Sequence, residues 1–517
     1  MNPPLILQPM LILLGGAALT PVASMAGRAF KVERVREIVC ILAFALSFYT
    51  LFFLHQEVQA SGPARYVFAG FLPLNGGVEL YADLLSIYFA WLFTGLGLLV
   101  AVYSTRYMEK DTGQDSYYTL LLTLVGGMVG VAFSGDFFNL FVFWEMMCIS
   151  SYALVSFRKH LWEPVEAGFK YLVMSTLGSL MILYGISIFY GMTGTVNFRL
   201  IRSGLIAHGG LSLITLYLLI GIIVAGFGVT AAIVPFHTWL PDAHPAAPSS
   251  ISAMLSGVVI KAGVYGVGRS MFTLFNPTTF NYGALLMVFG VITLTVGNFM
   301  ALLQTDIKRL LAYSSIVNIG YIITGLGIGG YVITKYYSVD PRAALGVAML
   351  AATGGLFHVF NHAVGKGLLF LCSGCFLHEA KTRDISALEG VGRRMKWTGA
   401  SLSIGLFSLA GIPPFSGFWS KLFIILGGLG IPGDSFLSTI TILVVLNSVF
   451  SASYYLWLVQ RILVKKPSAG LKAVKEAPLP MVAPVVLLAA LIILVGLTPG
   501  PMISLVESVS KTLLGGW

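Results

Sequence analysis

The sequence predicts an all-α polytopic membrane protein, and three observations carry that reading. Of its 517 residues, 57% are hydrophobic and only 10% charged, with a mean hydropathy of +0.88, whereas a soluble chain carries about 25% charged residues. The apolar residues form many runs of the length a membrane-crossing helix needs, about 20 residues each. Within a run they are apolar throughout, not alternating as in the strands of an outer-membrane barrel. A water-soluble enzyme, a disordered chain and a domain held by one anchor are thereby excluded.

About fourteen spans follow, each bounded by a polar break. The opening MNPPLILQPMLILLGG has no basic start and no cleavage site, so 5–26 reads as a retained first span and not as a signal peptide. The basic stretch from Arg28 to Arg36 separates it from 37–56, and 84–104 ends at Arg106 and Lys110. Spans 117–133 and 137–157 meet at Gly135 and Asp136, and 165–190 begins after the Arg158, Lys159, His160 cluster. Span 211–236 stops at Pro235, and 247–271 starts beyond a proline-rich turn. Spans 282–303, 308–334 and 343–377 are divided by polar segments around Asp306 and Asp340. Spans 398–427, 435–462 and 480–505 complete the chain, with a Lys-rich connection before the last.

Cation placement supplies an orientation. With both termini outside, 20 of the 31 Lys and Arg residues lie in inner loops, among them Arg28, Arg158, Lys308, Arg309, Arg383 and Arg461. Seven lie outside, including Arg65, Arg199, Arg269 and Lys335. Cytoplasmic loops are the basic ones, so the +10 net charge reflects topology in a cell membrane and not nucleic-acid binding. The four cysteines, Cys40, Cys148, Cys372 and Cys375, imply no disulfide framework, and the CxxC of the last two reads as small core residues.

Two stretches resemble one another. VPFHTWL (234–240) and PPFSGFW (413–419) each follow a Gly-rich apolar run, and each is preceded by an intramembrane lysine, Lys170 and Lys366. Five spans separate the copies, an odd number, so they run in opposite directions. That is the pattern of an inverted repeat, whose working sites sit at broken helices near the midplane.

Ionisable residues inside hydrocarbon are costly and are functional candidates by default. Glu145 lies deep in the fifth span, either as a structural carboxylate held by a neighbouring helix or as a proton carrier and switchable ion-pair partner. Lys261 is equally central, and an amine at that depth suits a relay. Lys421 follows the two prolines of GIPPFSGFWS and serves either the ion path or the carbonyls those prolines free. Lys170 sits nearer its helix end, where it can snorkel to the inner surface. His358, His362 and Lys366 recur every four residues and share one helix face. Such a row passes protons through water or hydrogen-bonds neighbouring helices. As HxxxH it lacks the Glu of a zincin and a third ligand, and one face cannot hold both sides of a haem, so no metal or cofactor is expected. His237, Asp242 and His244, beside the first broken helix, form either a plain turn or an inner entrance that loads protons.

Together WE (144–145), PFHTWLPDAHPAAPS (235–249), VVIKAGVYG (258–266), DIKRLLAYSSIVNIGY (306–321), FHVFNHAVGKGLLF (357–370) and GIPPFSGFWSK (411–421) resemble the antiporter-like subunits of complex I. The same family includes large subunits of Mrp cation/proton antiporters and of group 4 membrane-bound hydrogenases, and the PFHTWLPDAHPAAPS motif looks most like the hydrogenase branch. The resemblance covers roughly residues 65–465. It implies fourteen helices, with N-terminal spans in 1–116, two inverted five-helix half-channels in 117–271 and 272–465, and a last helix in 466–517. It also implies a central polar axis for protons or Na⁺, to which Glu145, Lys261, His358, His362, Lys366 and Lys421 correspond by position. Partners would be other membrane subunits, including further antiporter-like, small Mrp-like or quinone- and hydrogenase-module proteins, and redox chemistry would lie on them. One departure stands out: the lysine usual five residues before the proline of the PFH-like motif is Thr230 here. That departure argues for one rival reading, a structural subunit that has lost translocation; the other rival is a stand-alone secondary transporter.

Overall fold

A computed structural model of the chain describes residues 4–32, 34–68, 78–207, 213–275 and 280–515, and the start of the expected seventh span, 211–212, lies outside them. The first helices are α1 (Gln8–Ala29), α2 (Val35–Ser61), α3 (Leu84–Tyr107), α4 (Gln114–Phe133), α5 (Phe137–Val155) and α6 (Trp162–Thr193). A short α7 (Phe198–Ala207) precedes α8 (Leu213–Ala231), α9 (Leu240–Ala246) and α10 (Ser249–Met254). One π turn, Leu255–Val259, joins α10 to α11 (Ile260–Leu274). Then come α12 (Tyr282–Leu302), α13 (Ile307–Tyr336), α14 (Pro341–Ala380), α15 (Lys396–Ala410), α16 (Ser416–Gly428) and α17 (Ser435–Val459). The chain closes with α18 (Leu479–Leu497) and α19 (Gly500–Leu514).

Among the described residues thirteen helical segments are long and apolar enough to cross a membrane. The 398–427 span is broken, as expected, into α15 and α16, 15 and 13 residues long and parted by the prolines at 413 and 414. The last span differs from expectation. It ends at Leu497, and α19 is a separate helix, because the Pro499-Gly500-Pro501 sequence cannot continue α18. An antiparallel hairpin, β1 (Ala64–Val67) with β2 (Glu79–Ala82), is a small β addition to the expected all-α fold.

Aspartates start the central helices. Asp83, Asp136, Asp306, Asp340 and Asp434 each accept backbone N–H groups at the heads of α3, α5, α13, α14 and α17, satisfying donors a helix cannot satisfy itself. Glycine then sets the closest packing. A Cβ at Gly283 or Gly290 of α12 would collide with the backbone of α13, so there the two helices approach without intervening side chains, as small residues permit in membranes.

The segments Ser249–Leu274 and Ile307–Tyr336 are wholly buried over their apolar windows, and α14 is buried from Ala351 to Phe376. These three form the centre, and the first and third carry Lys261 and the row His358, His362, Lys366. By contrast α1, α2 and α6 present large apolar side chains outward, including Leu42, Phe52, Phe169 and Tyr184, as lipid-facing helices do.

Ion pairs tie together the loops assigned to one side by charge counting. Arg28 meets Asp115 at 2.6 Å, Arg158 meets Asp111 at 2.7 Å, Arg383 meets Glu163 and Asp306 at 3.1 Å, and Arg461 meets Glu389. At the opposite end Arg199 meets Glu79 at 3.1 Å and Lys335 meets Asp434 at 2.9 Å. Two cations break that grouping. Arg269, counted as an outer-loop residue, is buried within the Ser249–Leu274 segment, and Lys308, counted as an inner-loop residue, is buried at the head of α13. Each has bonding partners that compensate its burial.

Candidate functional site

The two breaks noticed in the sequence are built alike. After α8, Ala232 takes a left-handed φ of 56°, and after α15 Gly411 takes 85°. The amide of Ala232 bonds Val229 O and that of Ile233 bonds Gly228 O; correspondingly Gly411 bonds Ser408 O and Ile412 bonds Phe407 O. Each break holds a cis peptide bond, Val234–Pro235 and Pro413–Pro414. Side chains beyond each break donate back to carbonyls at the end of the preceding helix. Trp239 Nε1 donates to Val229 O at 2.8 Å, and Lys421 Nζ lies 3.3 Å from Ala410 O.

Lys421 therefore does cap a freed carbonyl, and it also donates to Ser448 Oγ at 3.1 Å and stands 4.6 Å from the Tyr321 ring centre. The row on α14 lies beside it. His358 Nδ1 lies 2.9 Å from Ser420 Oγ, whose hydroxyl donates to Gly417 O, and Nε2 faces Asn318 Oδ1 at 3.0 Å. Asn318 spends its amide hydrogens on Ser314 O and Tyr455 Oη, so its oxygen is an acceptor and the network assigns the His358 proton to Nε2. The rings of His358 and His362 stack with centres 6.5 Å apart, and that of Tyr321 meets His358 at 5.4 Å.

One turn further, Lys366 Nζ donates to Leu311 O at 2.9 Å and to Ser314 Oγ. Lys261 Nζ donates to Ser256 O, inside the π turn; such turns widen the helix at a single point and are frequent at functional sites. The hydroxyls of Ser256 and Ser315 lie 2.6 Å apart, and Ser315 donates to Leu311 O at 2.8 Å. Residues that each touch the next thus connect Lys261 to Lys366 through Ser256, Ser315 and Leu311.

His362 and His244 face this centre with both ring nitrogens buried and without a protein hydrogen-bond partner. Lys261 and Lys366 act electrostatically on both rings. Among the described residues no carboxylate pairs with Lys261, Lys366 or Lys421. The centre is therefore three amines and three imidazoles, held by carbonyls and hydroxyls. All six can gain and lose a proton, whereas their supports cannot.

The remaining candidates lie apart. Glu145 is partly buried on α5, with Oε1 shielded and without a hydrogen-bond partner, and it forms no ion pair among the described residues. Glu145 acts electrostatically on Cys148, and the Ser175 and Thr230 hydroxyls lie against that thiol. Lys170 is half-exposed, bonded to Glu166 at 2.9 Å and to Asp242 at 3.2 Å, and Asp242 also meets Arg309 at 3.5 Å. His237 is half-buried at the break, its Nδ1 enclosed. Both Cys372 and Cys375 are buried thiols.

Several contributors were not singled out beforehand. Lys308 caps the end of the first broken helix, donating to Ala247 O at 2.6 Å. Asn318, Ser256, Ser315 and Ser420 position the titratable groups; the only advance signal was the polar run YSSIVN (313–318) within an apolar span.

Comparisons with known proteins agree with this architecture. The family model described as "NADH:quinone oxidoreductase/Mrp antiporter, TM" matches residues 134–338 and 343–451, and that of the complex I chain 5 N-terminus matches 72–118. The chain is 35% identical to a Na(+)/H(+) antiporter subunit of Alkalihalophilus pseudofirmus, over 89% of its own length and 57% of that protein's. It thus spans little more than half of that relative. Against NADH-quinone oxidoreductase subunit N of Desulforudis audaxviator the identity is 30%, with 87% and 88% covered. A chain of the membrane-bound sulfane sulfur reductase, an archaeal respiratory membrane complex, superposes with a TM-score of 0.85 at 29% identity, covering 98% of this chain and 97% of that one. A chain of the Mrp complex from Dietzia sp. DQ12-45-1b shares the fold, with a TM-score of 0.83 at 21% identity over 99% and 97%.

Proposed function

Because the chain belongs to the NADH:quinone oxidoreductase/Mrp antiporter family of membrane subunits, we propose that it moves protons or Na⁺ along its buried lysine and histidine axis as part of a multi-subunit membrane complex. The observation that carries this reading is the enclosed set Lys261, Lys366, His362, His358 and Lys421, whose hydrogen-bond partners are carbonyls, hydroxyls and an amide, with no carboxylate among the described residues. An arrangement that served packing alone would not hold three amines in hydrocarbon without a carboxylate beside any of them.

In this reading the path runs from Lys261 through the Ser256–Ser315 bridge to Lys366, and from His362 and His358 to Lys421. His237, Asp242, His244 and Lys170 form its inner mouth, both termini face outward, and residues 117–271 and 272–465 are the two half-channels. The driving reaction belongs to partner subunits. Glu145 takes a lesser part than the family pattern suggests, since Thr230 supplies no charge to pair with it.

Lys366→Met tests the reading, because methionine keeps most of the volume and removes the amine. In membranes containing the assembled complex, driven ion movement should fall to background while the complex still assembles. Movement at the wild-type rate would refute the axis.

A further inference from the structure

We propose that Arg269, pinned by Asp83, is an electrostatic seal closing a second, outward route from Lys261. The inference rests on reading Lys261 as an ion carrier. On α11, Lys261, Tyr265 and Arg269 recur every four residues, so they share one face and climb it in steps of about 6 Å. This row parallels His358, His362 and Lys366 on α14, with one chemical difference. Every member of the α14 row exchanges protons near neutrality when its surroundings allow. The α11 row ends on a guanidinium, which keeps its proton in proteins.

The guanidinium is fully engaged. Its Nη1 meets Asp83 Oδ2 at 2.6 Å, Nη2 donates to Ser86 Oγ at 2.9 Å, and Nε donates to Tyr265 Oη at 3.1 Å. Tyr265 in turn donates to Ala132 O at 2.7 Å, and Asp83 Oδ1 accepts from Ser86 N and Oγ at 2.9 and 3.0 Å. Arg269 and Asp83 are 7% and 2% exposed, yet both line a cavity of about 320 Å³ with Glu79, Tyr81, Arg199 and Lys511. The cavity lies at the end of the molecule that carries the β-hairpin.

Polar space therefore reaches inward from that end and stops at a fixed positive charge, with a tyrosine and then Lys261 behind it. A fixed arginine in a pore raises an electrostatic barrier to protons and other cations. Asp83 holds the guanidinium across the passage, and the bonds to Ser86 and Tyr265 prevent it from swinging aside. An ion on Lys261 is thus left with the Ser256–Ser315 bridge toward Lys366 and has no direct exit.

The test is passive leak, measured without turnover in vesicles containing the assembled complex and preloaded with a pH gradient. Arg269→Gln should make the gradient decay several-fold faster than in wild type, and adding Lys261→Met should restore slow decay. Arg269→Lys retains a cation that can pair with Asp83, so it guards against a folding defect; because lysine can pass a proton on, it too should leak. Gradients that persist as in wild type in both Arg269 variants would overturn the seal. So would a leak in Arg269→Gln that Lys261→Met does not reduce. Failure of the underlying reading gives a different signature, in which Lys261→Met alone leaves driven transport intact.

Discussion

The hydroxyl pair between Lys261 and Lys366 yields a prediction in which stability and transport part company. Ser315 has one hydrogen and gives it to Leu311 O at 2.8 Å, so across the 2.6 Å contact Ser256 must be the donor. Both residues are buried. Ser315→Ala therefore strands the Ser256 hydroxyl. The cost is a net hydrogen bond, about 1 kcal/mol, plus the desolvation of an unsatisfied donor, about 1–3 kcal/mol. Ser256→Ala leaves Ser315 bonded to Leu311 O and should cost only about 1 kcal/mol. The double Ser256→Ala/Ser315→Ala variant removes both partners, so it should be more stable than Ser315→Ala alone, a coupling expected only of residues in contact. Transport should behave otherwise. Each variant cuts the same link, and an added barrier of about 1–3 kcal/mol slows passage roughly 5- to 150-fold. Thermal unfolding in detergent reads the first quantity, and dye-monitored ion movement in membranes with the assembled complex reads the second. Wild-type transport in the double variant would refute the bridge as part of the path, and stability losses that simply add would refute the donor assignment.

Three further outcomes are expected. Glu145→Gln should lower coupled ion movement less than Lys366→Met does, with assembly intact; a fall to background would give Glu145 a full place in the path. Thr230→Lys places a cation beside Cys148, on which Glu145 also acts, and should leave flux equal or lower, whereas a several-fold rise would mark the native chain as a silent spacer. Burial acts to raise the Asp83 carboxyl, but the Arg269 guanidinium and the Ser86 bonds outweigh it and hold the group below its ordinary range. A carboxyl depressed by folding adds stability above its unfolded value, near pH 4, and loses it as pH falls toward the folded value. The difference in unfolding temperature between wild type and Asp83→Asn should therefore stay constant from about pH 7 to 5 and shrink below about pH 4. A gap that widens on acidification would contradict the pairing.

The titratable axis was legible because every member interrupts an apolar run, and the period of four in His358, His362 and Lys366 already put them on one face. The broken helices were legible from proline. What hid was whatever depends on the third dimension. Arg269 and Lys308 each sit at a span end, where hydropathy cannot tell a loop cation from one buried against Asp83 or against the Ala247 carbonyl. Ser256, Ser315, Asn318 and Ser420 are small polar residues of the kind that pack membrane helices everywhere, so only their spatial neighbours distinguish them. The end of the last span was misjudged because apolar residues on both sides of Pro499 read as one run, and strands of four residues, as in the hairpin, are too short to show a period.

The π turn at Leu255–Val259 makes the spacing of the chain itself a part of the site. Such a turn is an α-helix carrying one inserted residue, and each residue of an α-helix turns the chain by about 100°. Deleting one residue here would yield an unbroken helix of unchanged character, yet everything before the deletion would rotate relative to Lys261. Ser256 would swing away from Ser315 although both side chains were still present. In this segment a substitution edits one contact, while an insertion or deletion re-aims the helix, so comparisons among relatives should weigh a gap at 255–259 above most changes of residue.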